Sequence, residues 1–211
     1  MGLPVNQWVV GRASPEGSGA TLVARYLDSR YVDTWDHNTV LELAILGFLA
    51  EGPTHGYELR RRVAHLSGYA RPVSDGSLYP AIQRMVKSGW IARELMPGAG
   101  ATARHVLTIT SPGRERLQER LRDPERLDIT NMARFLVILA FLSQLPDVGE
   151  QHAVLRQRLD FLEGDGSFFY DGDRPVRADE VVDPYRRGMF VVATATSRTE
   201  QEWLRSVLKE G

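Results

Sequence analysis

Residues 52–113 read GPTHGYELRRRVAHLSGYARPVSDGSLYPAIQRMVKSGWIARELMPGAGATARHVLTITSPG, and this stretch decides the fold. Its first part places Leu59, Val63 and Leu66 at three- and four-residue spacing, which predicts an amphipathic helix. Thr54 precedes this helix as a candidate N-cap. The pattern therefore predicts a short helix that begins just after Gly52-Pro53.

A second amphipathic helix is predicted after Ser74, which can serve as its N-cap. Its apolar residues share one face: Leu78, Ile82, Met85 and Val86. The opposite face carries small residues, an amide and cations: Gly76, Pro80, Gln83, Arg84 and Lys87. Such a face suits a helix in the major groove of duplex DNA, where acidic side chains would be repelled.

Two strands are predicted after this helix, at residues 90–96 and 104–110, and the loop between them contains PGAG at 97–100. A helix pair followed by a β-hairpin is the order of a winged helix-turn-helix. The hairpin, or wing, typically approaches the DNA minor groove or nearby phosphates. Arg93, Thr102 and Arg104 are its residues best placed to contact the DNA backbone.

Outside this stretch, the sequence predicts mainly helix. Towards the N terminus, apolar residues at i, i+4, i+7 and i+8 predict a helix that ends at Gly52-Pro53: Leu41, Ile45, Phe48 and Leu49. Residues 1–37 form an irregular leader, which we expect to pack on the C-terminal helices because residues 8–10 and 22–27 are rich in apolar side chains. A dimer-swapping arm, a DNA-reaching arm and disorder are the alternatives.

Charge is distributed unevenly along the chain. The net charge of all 211 residues is -1, but residues 53–113 hold eight basic and three acidic residues, so +5 lies there and -6 in the remainder. This asymmetry is typical of a protein in which one part contacts phosphate and another does not. The alternative interpretation is a solvated helix face rich in arginine.

Composition excludes several classes of function. The chain contains no cysteine, which excludes disulfide scaffolds, thiolate metal sites and cysteine nucleophiles. We expect no enzyme activity, since GxSxG, P-loop and dinucleotide motifs are missing. We also expect no cofactor or metal, since the spacing of His55, Glu58 and His65 does not match that of known metal-ligand motifs. The longest apolar run, residues 135–142, is too short for a membrane span, and nothing resembles a signal peptide, so a cytoplasmic location is predicted.

Four segments together resemble the PadR family of bacterial transcriptional regulators: LGFL at 46–49, GPTHGYEL at 52–59, SDGSLYPA at 74–81 and LTITSPG at 107–113. The resemblance is strong over residues 40–122 and general beyond them. It implies a winged-helix fold, a two-fold dimer, a pseudo-palindromic operator and release by a small ligand. The chain departs from the family at the wing, where residues 100–105 read GATARH and carry fewer cations than members often show, so we expect weaker phosphate contacts there.

The resemblance also implies DNA contacts at Tyr57, Ser74, Ser77, Leu78, Tyr79 and Pro80, and at the wing near Arg104. With the residues found from the patterns, the candidate DNA-binding set is Thr54, His55, Tyr57, Ser74, Ser77, Leu78, Tyr79, Pro80, Gln83, Arg84, Lys87, Arg93, Thr102 and Arg104. An alternative interpretation makes Tyr57 and Tyr79 half-buried core residues and uses Gly56 and Gly76 to relieve helix packing.

The C-terminal half predicts further helices, with starts at Ser111-Pro112, Asp128, Pro146-Asp147 and Asp183-Pro184. Residues 132–142 are apolar on nearly every side, which favours burial against a second copy of the chain. The candidate dimer interface is Met132, Phe135, Leu136, Leu139, Trp203, Leu204 and Val207. Aromatic residues that could line an effector pocket are Phe135, Phe141, Phe168, Tyr170 and Tyr185.

The sequence therefore predicts a mainly α fold with a small β-hairpin wing. We expect an N-terminal extension at 1–37, a winged-helix DNA-binding domain at 38–124 and a helical dimerisation and effector domain at 125–211. The predicted function is a homodimeric, ligand-responsive repressor that binds a double-stranded operator. The alternative is a winged-helix module that binds protein and not DNA.

Overall fold

The computed structural model describes residues 39–66, 75–96, 104–164, 170–171, 174–175 and 177–209. The chain divides into two compact units, 33–154 and a second one that contains the residues from Leu155 onward. None of the described helices is long and apolar enough to cross a membrane.

The described part of unit 33–154 has the winged-helix order of elements. It contains α1 (Thr39–Glu51), β1 (Thr54–His55), α2 (Gly56–Leu66), α3 (Asp75–Lys87), β2 (Ile91–Met96), β3 (Arg104–Ile109), α4 (Ser111–Arg122), α5 (Arg126–Thr130), α6 (Met132–Phe141) and the first part of α7 (Val148–Glu163). Both predicted amphipathic helices and both wing strands are confirmed.

The described part of the second unit is mostly helical. It contains the end of α7, the two-residue strands β4 (Tyr170–Asp171) and β5 (Arg174–Pro175), a 3₁₀ turn at Ala178–Glu180 and α8 (Pro184–Lys209). Arg158 of α7 makes a bidentate ion pair with Glu200 of α8, at 2.7 and 3.0 Å. Helix α8 is continuous through Ser197.

Helix α1 lies at the centre of the first unit. It contacts α2, α3, α4, α6 and β3, and eight of its thirteen residues are buried. The sequence predicted burial of a single stripe, with Leu41, Ile45 and Leu49 among its members. More of the helix is buried because neighbours cover several of its sides, which a local pattern does not reveal.

The sheet has three strands in the order β1-β3-β2, all antiparallel. In the predicted hairpin, Ile91 is paired with Ile109 and Met96 with Arg104. Strand β1 was not predicted; there, Thr54 is paired with Leu107 and His55 with Val106. This short strand ties the start of α2 to the wing.

Helix starts were predicted correctly at Asp147 and Asp183, whose carboxylates accept backbone N–H bonds from Glu150 and Arg186 at 2.8 Å. The helix start predicted at Ser111-Pro112 is confirmed, and Thr110 is its N-cap, accepting a hydrogen bond from Gly113 N. The start predicted at Asp128 is wrong. Asn131 caps α6, whereas Asp128 lies inside the short helix α5.

Helix α6 buries one side within its own chain, while Leu136 on its other side is exposed. Phe135, Val137, Ile138 and Phe141 are all buried, and the helix packs against α1. Consequently α6 belongs to the compact unit that ends at Val154, and the division between the units lies about thirty residues beyond the boundary predicted near residue 124.

A substitution at Gly47 tests whether α1 packs closely on α6. A Cβ atom at this position would lie 2.6 Å from Cδ2 of the buried Phe141 ring. We therefore expect Gly47→Ala to lower the free energy of unfolding by about 1–3 kcal/mol, because the ring must move inside a packed core. Urea unfolding measures the loss.

The matched control is Gly52→Ala, since a Cβ there would meet no atom within 4 Å. A further variant, Gly47→Ala with Phe141→Leu, should recover part of the stability lost by Gly47→Ala alone. Equal stability of the two single glycine variants would show that α1 and α6 do not pack in this way.

Candidate nucleic-acid interface

Helix α3 presents the face predicted for DNA recognition. Its buried residues are Leu78, Ala81, Ile82 and Met85, and the helix packs against α1 and β2. Its exposed residues include Gly76, Tyr79, Pro80, Gln83, Arg84 and Lys87, and Ser77 is half-buried. Among the side chains that the structure describes on this outward face, none is acidic. The exposed cations Arg84 and Lys87 on this helix favour contact with a polyanion.

Leu78 belongs to the core, and its inclusion among the DNA contacts was wrong. Its side chain is fully buried, as expected from its position on the apolar face of α3. Thr54 was also assigned incorrectly, because it lies buried in β1 opposite Leu107. Neither side chain can reach a DNA duplex from these positions.

Two tyrosines lie on the exposed side of the helix pair. Tyr57, in the first turn of α2, is 72% exposed, and Tyr79 on α3 is 43% exposed. Gly56 lies between them, since a Cβ on it would be 3.5 Å from Cε1 of Tyr79. The interpretation of Tyr57 as a half-buried core residue is therefore wrong.

The start of α2, the middle of α3 and the wing enclose one groove of about 620 Å³. His55 anchors its edge, because its Nδ1 donates a hydrogen bond to the His105 carbonyl oxygen at 3.1 Å. The groove is lined by His55, Gly56, Tyr57, Glu58, Tyr79, Ile82, Gln83, Arg93, His105 and Leu107. Five of the candidate DNA-binding residues thus line a single concave surface: His55, Tyr57, Tyr79, Gln83 and Arg93.

Some predicted contacts cannot be placed. Ser74 and Thr102 lie outside the described residues, and for Arg104 only the strand backbone is described. Lys87 is exposed on the last turn of α3. The N-terminal turns of a recognition helix typically reach base edges, so we assign Lys87 to the periphery of the surface.

The comparisons with known proteins agree with this geometry. Residues 45–119, which are 75 of the 211 residues, match the family described as "Transcriptional regulator PadR-like family". Over this segment the chain is similar to the PadR-like family. The family resemblance predicted from four short motifs is confirmed.

Solved structures of regulators are also similar to the chain. A transcriptional regulator from Clostridium thermocellum is 25% identical and matches over 38% of this chain and 75% of its own, with a TM-score of 0.35. Bacillus subtilis PadR in complex with operator DNA is 21% identical over 81% and 98%, with a TM-score of 0.40. The protein smu.1604c from Streptococcus mutans UA159 is 18% identical over 80% and 98%, with a TM-score of 0.38.

No curated protein matches the chain. All three TM-scores lie below 0.5, so the functional class rests on the family match. The family that residues 45–119 match is described as one of transcriptional regulators.

Arg84 on α3 has an acidic neighbour that the sequence did not reveal. Its Nη2 lies 3.7 Å from Oε1 of Glu42, which projects from the core helix α1. Burial raises the pKa of Glu42, while the charges of Arg84, Arg116 and Arg120 oppose that shift. Arg84 therefore lies at the flank of the recognition face, and its charge is partly balanced from within the domain.

The predicted effector pocket is not formed as expected. Phe135 and Phe141 are core residues, and the Phe141 ring makes an edge contact with Phe48 at 5.0 Å between centroids. Tyr185 is 87% exposed on α8. Phe168 and the side chain of Tyr170 lie outside the described residues. Tyr57 and Tyr79 are the aromatic residues that line the groove beside α3.

The predicted dimer residues divide into three groups by their exposure. Phe135 and Leu204 are buried within their own units, so they are not available to a partner. Leu136 and Trp203 are exposed, whereas Met132, Leu139 and Val207 are half-buried. The predicted dimer interface included too many residues, because periodicity alone does not show which apolar side chains are buried within the same chain.

Sequence reasoning missed His105 and Glu42. His105 lies on β3 opposite Leu95, which the hairpin register could have shown, but its role depends on the unpredicted strand β1. Glu42 lies in a helix that reads as a core element, and its proximity to Arg84 is a tertiary contact. Within the described residues no cluster of three or more metal-ligating side chains occurs.

Proposed function

We propose that this chain is a repressor that acts as a homodimer on a pseudo-palindromic operator and is released by a small effector. The observation that carries the proposal is the outward face of α3, which is exposed and has no described acidic side chain, beside a groove that contains Arg93. A helix of this kind can enter the major groove while the wing contacts the backbone.

The recognition contacts follow from the position of each side chain on α3. Gln83 lies near the middle of the outward face, and its amide can form hydrogen bonds with a base edge. Tyr79 lies on the side nearer the wing and lines the groove, where its hydroxyl can reach a phosphate. Arg93 supplies the charge on the wing side.

Helix α8 offers a face for the second copy. An uncharged exposed stripe runs along it at three- and four-residue spacing: Tyr185, Gly188, Val192, Ala195, Thr199 and Trp203. This three- and four-residue spacing is typical of the residues through which two helices pack side by side. A two-fold dimer would place its two recognition helices about 34 Å apart. This distance matches the separation of two major grooves one helical turn apart on the same side of a DNA duplex.

The dimer can be tested by analytical ultracentrifugation of the full chain. Val192→Glu places a charge in the stripe and should shift the protein from dimer to monomer. Thr194→Glu adds the same charge on another side of α8, at an exposed position, and should leave the dimer intact. A monomeric wild-type protein would contradict the proposal.

DNA binding and repression need separate tests. Genomic fragments that the protein retains at moderate salt should share a palindromic site, and the logarithm of affinity should fall linearly with the logarithm of salt concentration. Transcription in vitro from such a promoter should decrease when the protein is added. Salt-insensitive or absent binding would favour the protein-binding module instead, and increased transcription would identify an activator.

The Glu42–Arg84 contact leads to a prediction of its own. Glu42→Gln removes the negative charge beside Arg84, which should strengthen the attraction of Arg84 to phosphate. We expect the salt dependence to steepen by up to about 0.9 in slope for each subunit, or about 1.8 for a dimer. Because the folded state raises the pKa of Glu42, its neutral form is better tolerated, and the variant should lose no thermal stability at neutral pH.

A double-mutant cycle supplies the control. In an Arg84→Ala background, Glu42→Gln should leave both affinity and salt slope unchanged, because no guanidinium remains to be released. Fluorescence anisotropy with one operator duplex at four salt concentrations measures both quantities. An equal effect of Glu42→Gln with and without Arg84 would show that Glu42 does not act through Arg84.

A further inference from the structure

Four residues lie where the wing meets helices α3 and α4, and we call them the wing junction: Gly89, Trp90, Thr110 and Gly113. Shortly after α3 ends, Gly89 adopts a φ of 75°, a conformation that glycine accepts without strain. Trp90 directly precedes β2, and its backbone N–H donates a hydrogen bond to the Met85 carbonyl oxygen of α3 at 2.9 Å. The start of the wing is therefore tied to the last turn of α3.

Thr110 ties the other end of the wing to the same place. It directly follows β3, and its backbone N–H donates to the Trp90 carbonyl oxygen at 3.0 Å. Its hydroxyl donates to the Gly89 carbonyl oxygen at 2.6 Å and accepts from the Gly113 backbone N–H at 3.1 Å. This one residue therefore connects the end of α3, both ends of the wing and the first turn of α4.

Gly113, in the first turn of α4, lets that helix approach the wing closely. A Cβ atom at this position would overlap the Trp90 carbonyl oxygen, and it would lie 2.9 Å from Cγ1 of the buried Ile109. The obstacle at Trp90 is backbone, which cannot turn aside as the end of a flexible side chain can. Any side chain at position 113 must therefore push the start of β2 away from α4.

Arg93 is the wing residue that such a shift would move. Among the side chains described on β2 and β3 it is the one arginine or lysine, and it is exposed at the groove beside α3. The two strands are paired from Ile91 and Ile109 to Met96 and Arg104, so we expect the hairpin to move as one piece when its base moves. The contact of this wing with phosphate therefore depends on where the junction places the Arg93 guanidinium.

We propose that Gly113 and Thr110 are positioning residues for DNA binding, which hold the wing at the angle to α3 at which Arg93 reaches a phosphate. Neither residue has to touch DNA for this role. The proposal rests on the proposed function, since it requires α3 and the wing to contact the same duplex. A wing held in place before binding avoids the loss of affinity that arises when only a fraction of the molecules has the binding arrangement.

Replacing Gly113 by alanine tests the close contact. Gly113→Ala should displace the wing, remove the Arg93 contact and make the slope of log affinity against log salt shallower by up to about 0.9 per subunit, or about 1.8 for a dimer. Fluorescence anisotropy of the full chain with one operator duplex at four salt concentrations measures the slope. Gly52→Ala is the matched control, since a Cβ there would meet no atom within 4 Å, and it should keep the wild-type slope. A wild-type slope for Gly113→Ala would overturn the proposal.

An Arg93→Gln background separates positioning from loss of stability. A partly unfolded protein binds more weakly at every salt concentration, but the folded molecules keep their phosphate contacts, so the salt slope stays the same. In the Arg93→Gln background, Gly113→Ala should leave the slope unchanged, because the contact is already absent. A further decrease of the slope would show that Gly113 acts through a different contact, and it would overturn the proposal.

Thr110 supplies a second pair of variants, which tests the junction even if Gly113→Ala does not fold. Thr110→Val keeps the shape of the side chain but removes the hydroxyl, whereas Thr110→Ser keeps the hydroxyl. Thr110→Val should make the salt slope shallower, because the Gly89 carbonyl oxygen and the Gly113 N–H lose the partner that holds α4 to the end of α3. Thr110→Ser should match the wild type. Equal slopes for these two variants would overturn the proposal.

The angle of the wing can also be measured without DNA. Amide residual dipolar couplings of α3, β2 and β3 report the orientation of the wing relative to α3 in the full chain. In Gly113→Ala the wing should be rotated by about 10° or more from its wild-type orientation, since binding sites tolerate deviations of about 10–20°. The same orientation in both proteins would overturn the proposal.

Failure of the positioning role and failure of the proposed function give different results. A wild-type chain that binds DNA, with an unchanged salt slope in Gly113→Ala, would contradict the positioning role alone. A wild-type chain that binds no DNA would contradict the proposed function and, with it, the role of the junction in DNA contact. A rotated wing in Gly113→Ala would then still show that Gly113 sets the angle of the wing.

Discussion

Replacing Gln83 by glutamate is expected to weaken DNA binding by about a hundredfold or more. Gln83 is exposed near the middle of the outward face of α3, which we expect to face the major groove. The substitution changes the shape of the side chain very little but places a carboxylate among phosphates. Like-charge contacts in an interface cost several kcal/mol, and each 1.4 kcal/mol is tenfold in affinity.

The control for Gln83→Glu carries the same change in net charge. Ser143→Glu adds one negative charge at an exposed position in the 3₁₀ turn Leu142–Gln144, away from α3 and the wing. Anisotropy titrations should show near-wild-type affinity for this variant and a large loss for Gln83→Glu. Thermal unfolding of both should match the wild type, since both side chains are exposed. Similar affinities for the two variants would remove α3 from the DNA interface.

Asp128→Ala is expected to lower the free energy of unfolding by about 3–5 kcal/mol. The Asp128 carboxylate accepts hydrogen bonds from Arg134 Nε at 2.7 Å and from Arg120 Nη2 at 3.2 Å, and it lies 2.6 Å from Arg134 Nη2. The side chains of Arg134 and Asp128 are only 1% and 2% exposed. Losing the carboxylate leaves the Arg134 guanidinium buried without its main counter-charge, and an unpaired buried charge carries a cost of this size.

Two further variants separate burial from pairing. Asp179→Ala removes an ion pair with Arg177 in which both side chains are about 70% exposed, and it should cost no more than about 1 kcal/mol. The double variant Asp128→Leu with Arg134→Met should be more stable than Asp128→Ala alone, because no charge is left unpaired. Urea unfolding gives all three values. A double variant as unstable as the single one would mean that the loss arises from packing.

Much of the winged-helix unit could be predicted from local pattern. The apolar spacing of Leu59 and Val63 and of Leu78 and Ile82 placed α2 and α3, and strand alternation placed the wing. The outward face of α3 followed from the same periodicity, because a helix that buries one side must expose the other. This is why Pro80, Gln83 and Lys87 were located correctly on an exposed surface.

The errors have a common physical cause. Thr54 was taken for a helix cap because two-residue strands such as β1 have no periodicity to detect, and its pairing with Leu107 depends on a partner 53 residues away in sequence. The interface assignment of Phe135 failed because the sequence shows that a helix is apolar but not which neighbour covers it. Arg84 was predicted to contact DNA, and the sequence did not show that Glu42 lies beside it in the folded protein.

By itself the sequence determined which residues form helices and strands, which face of α3 points outward and, through short motifs, the regulator family. Those properties depend on side chains within a few positions of one another, so they are present in the order of residues. Only the tertiary structure decided that β1 closes the groove, that α6 lies in the domain core and that Glu42 faces Arg84. These contacts join segments distant in the chain, and their geometry arises only when the core has packed.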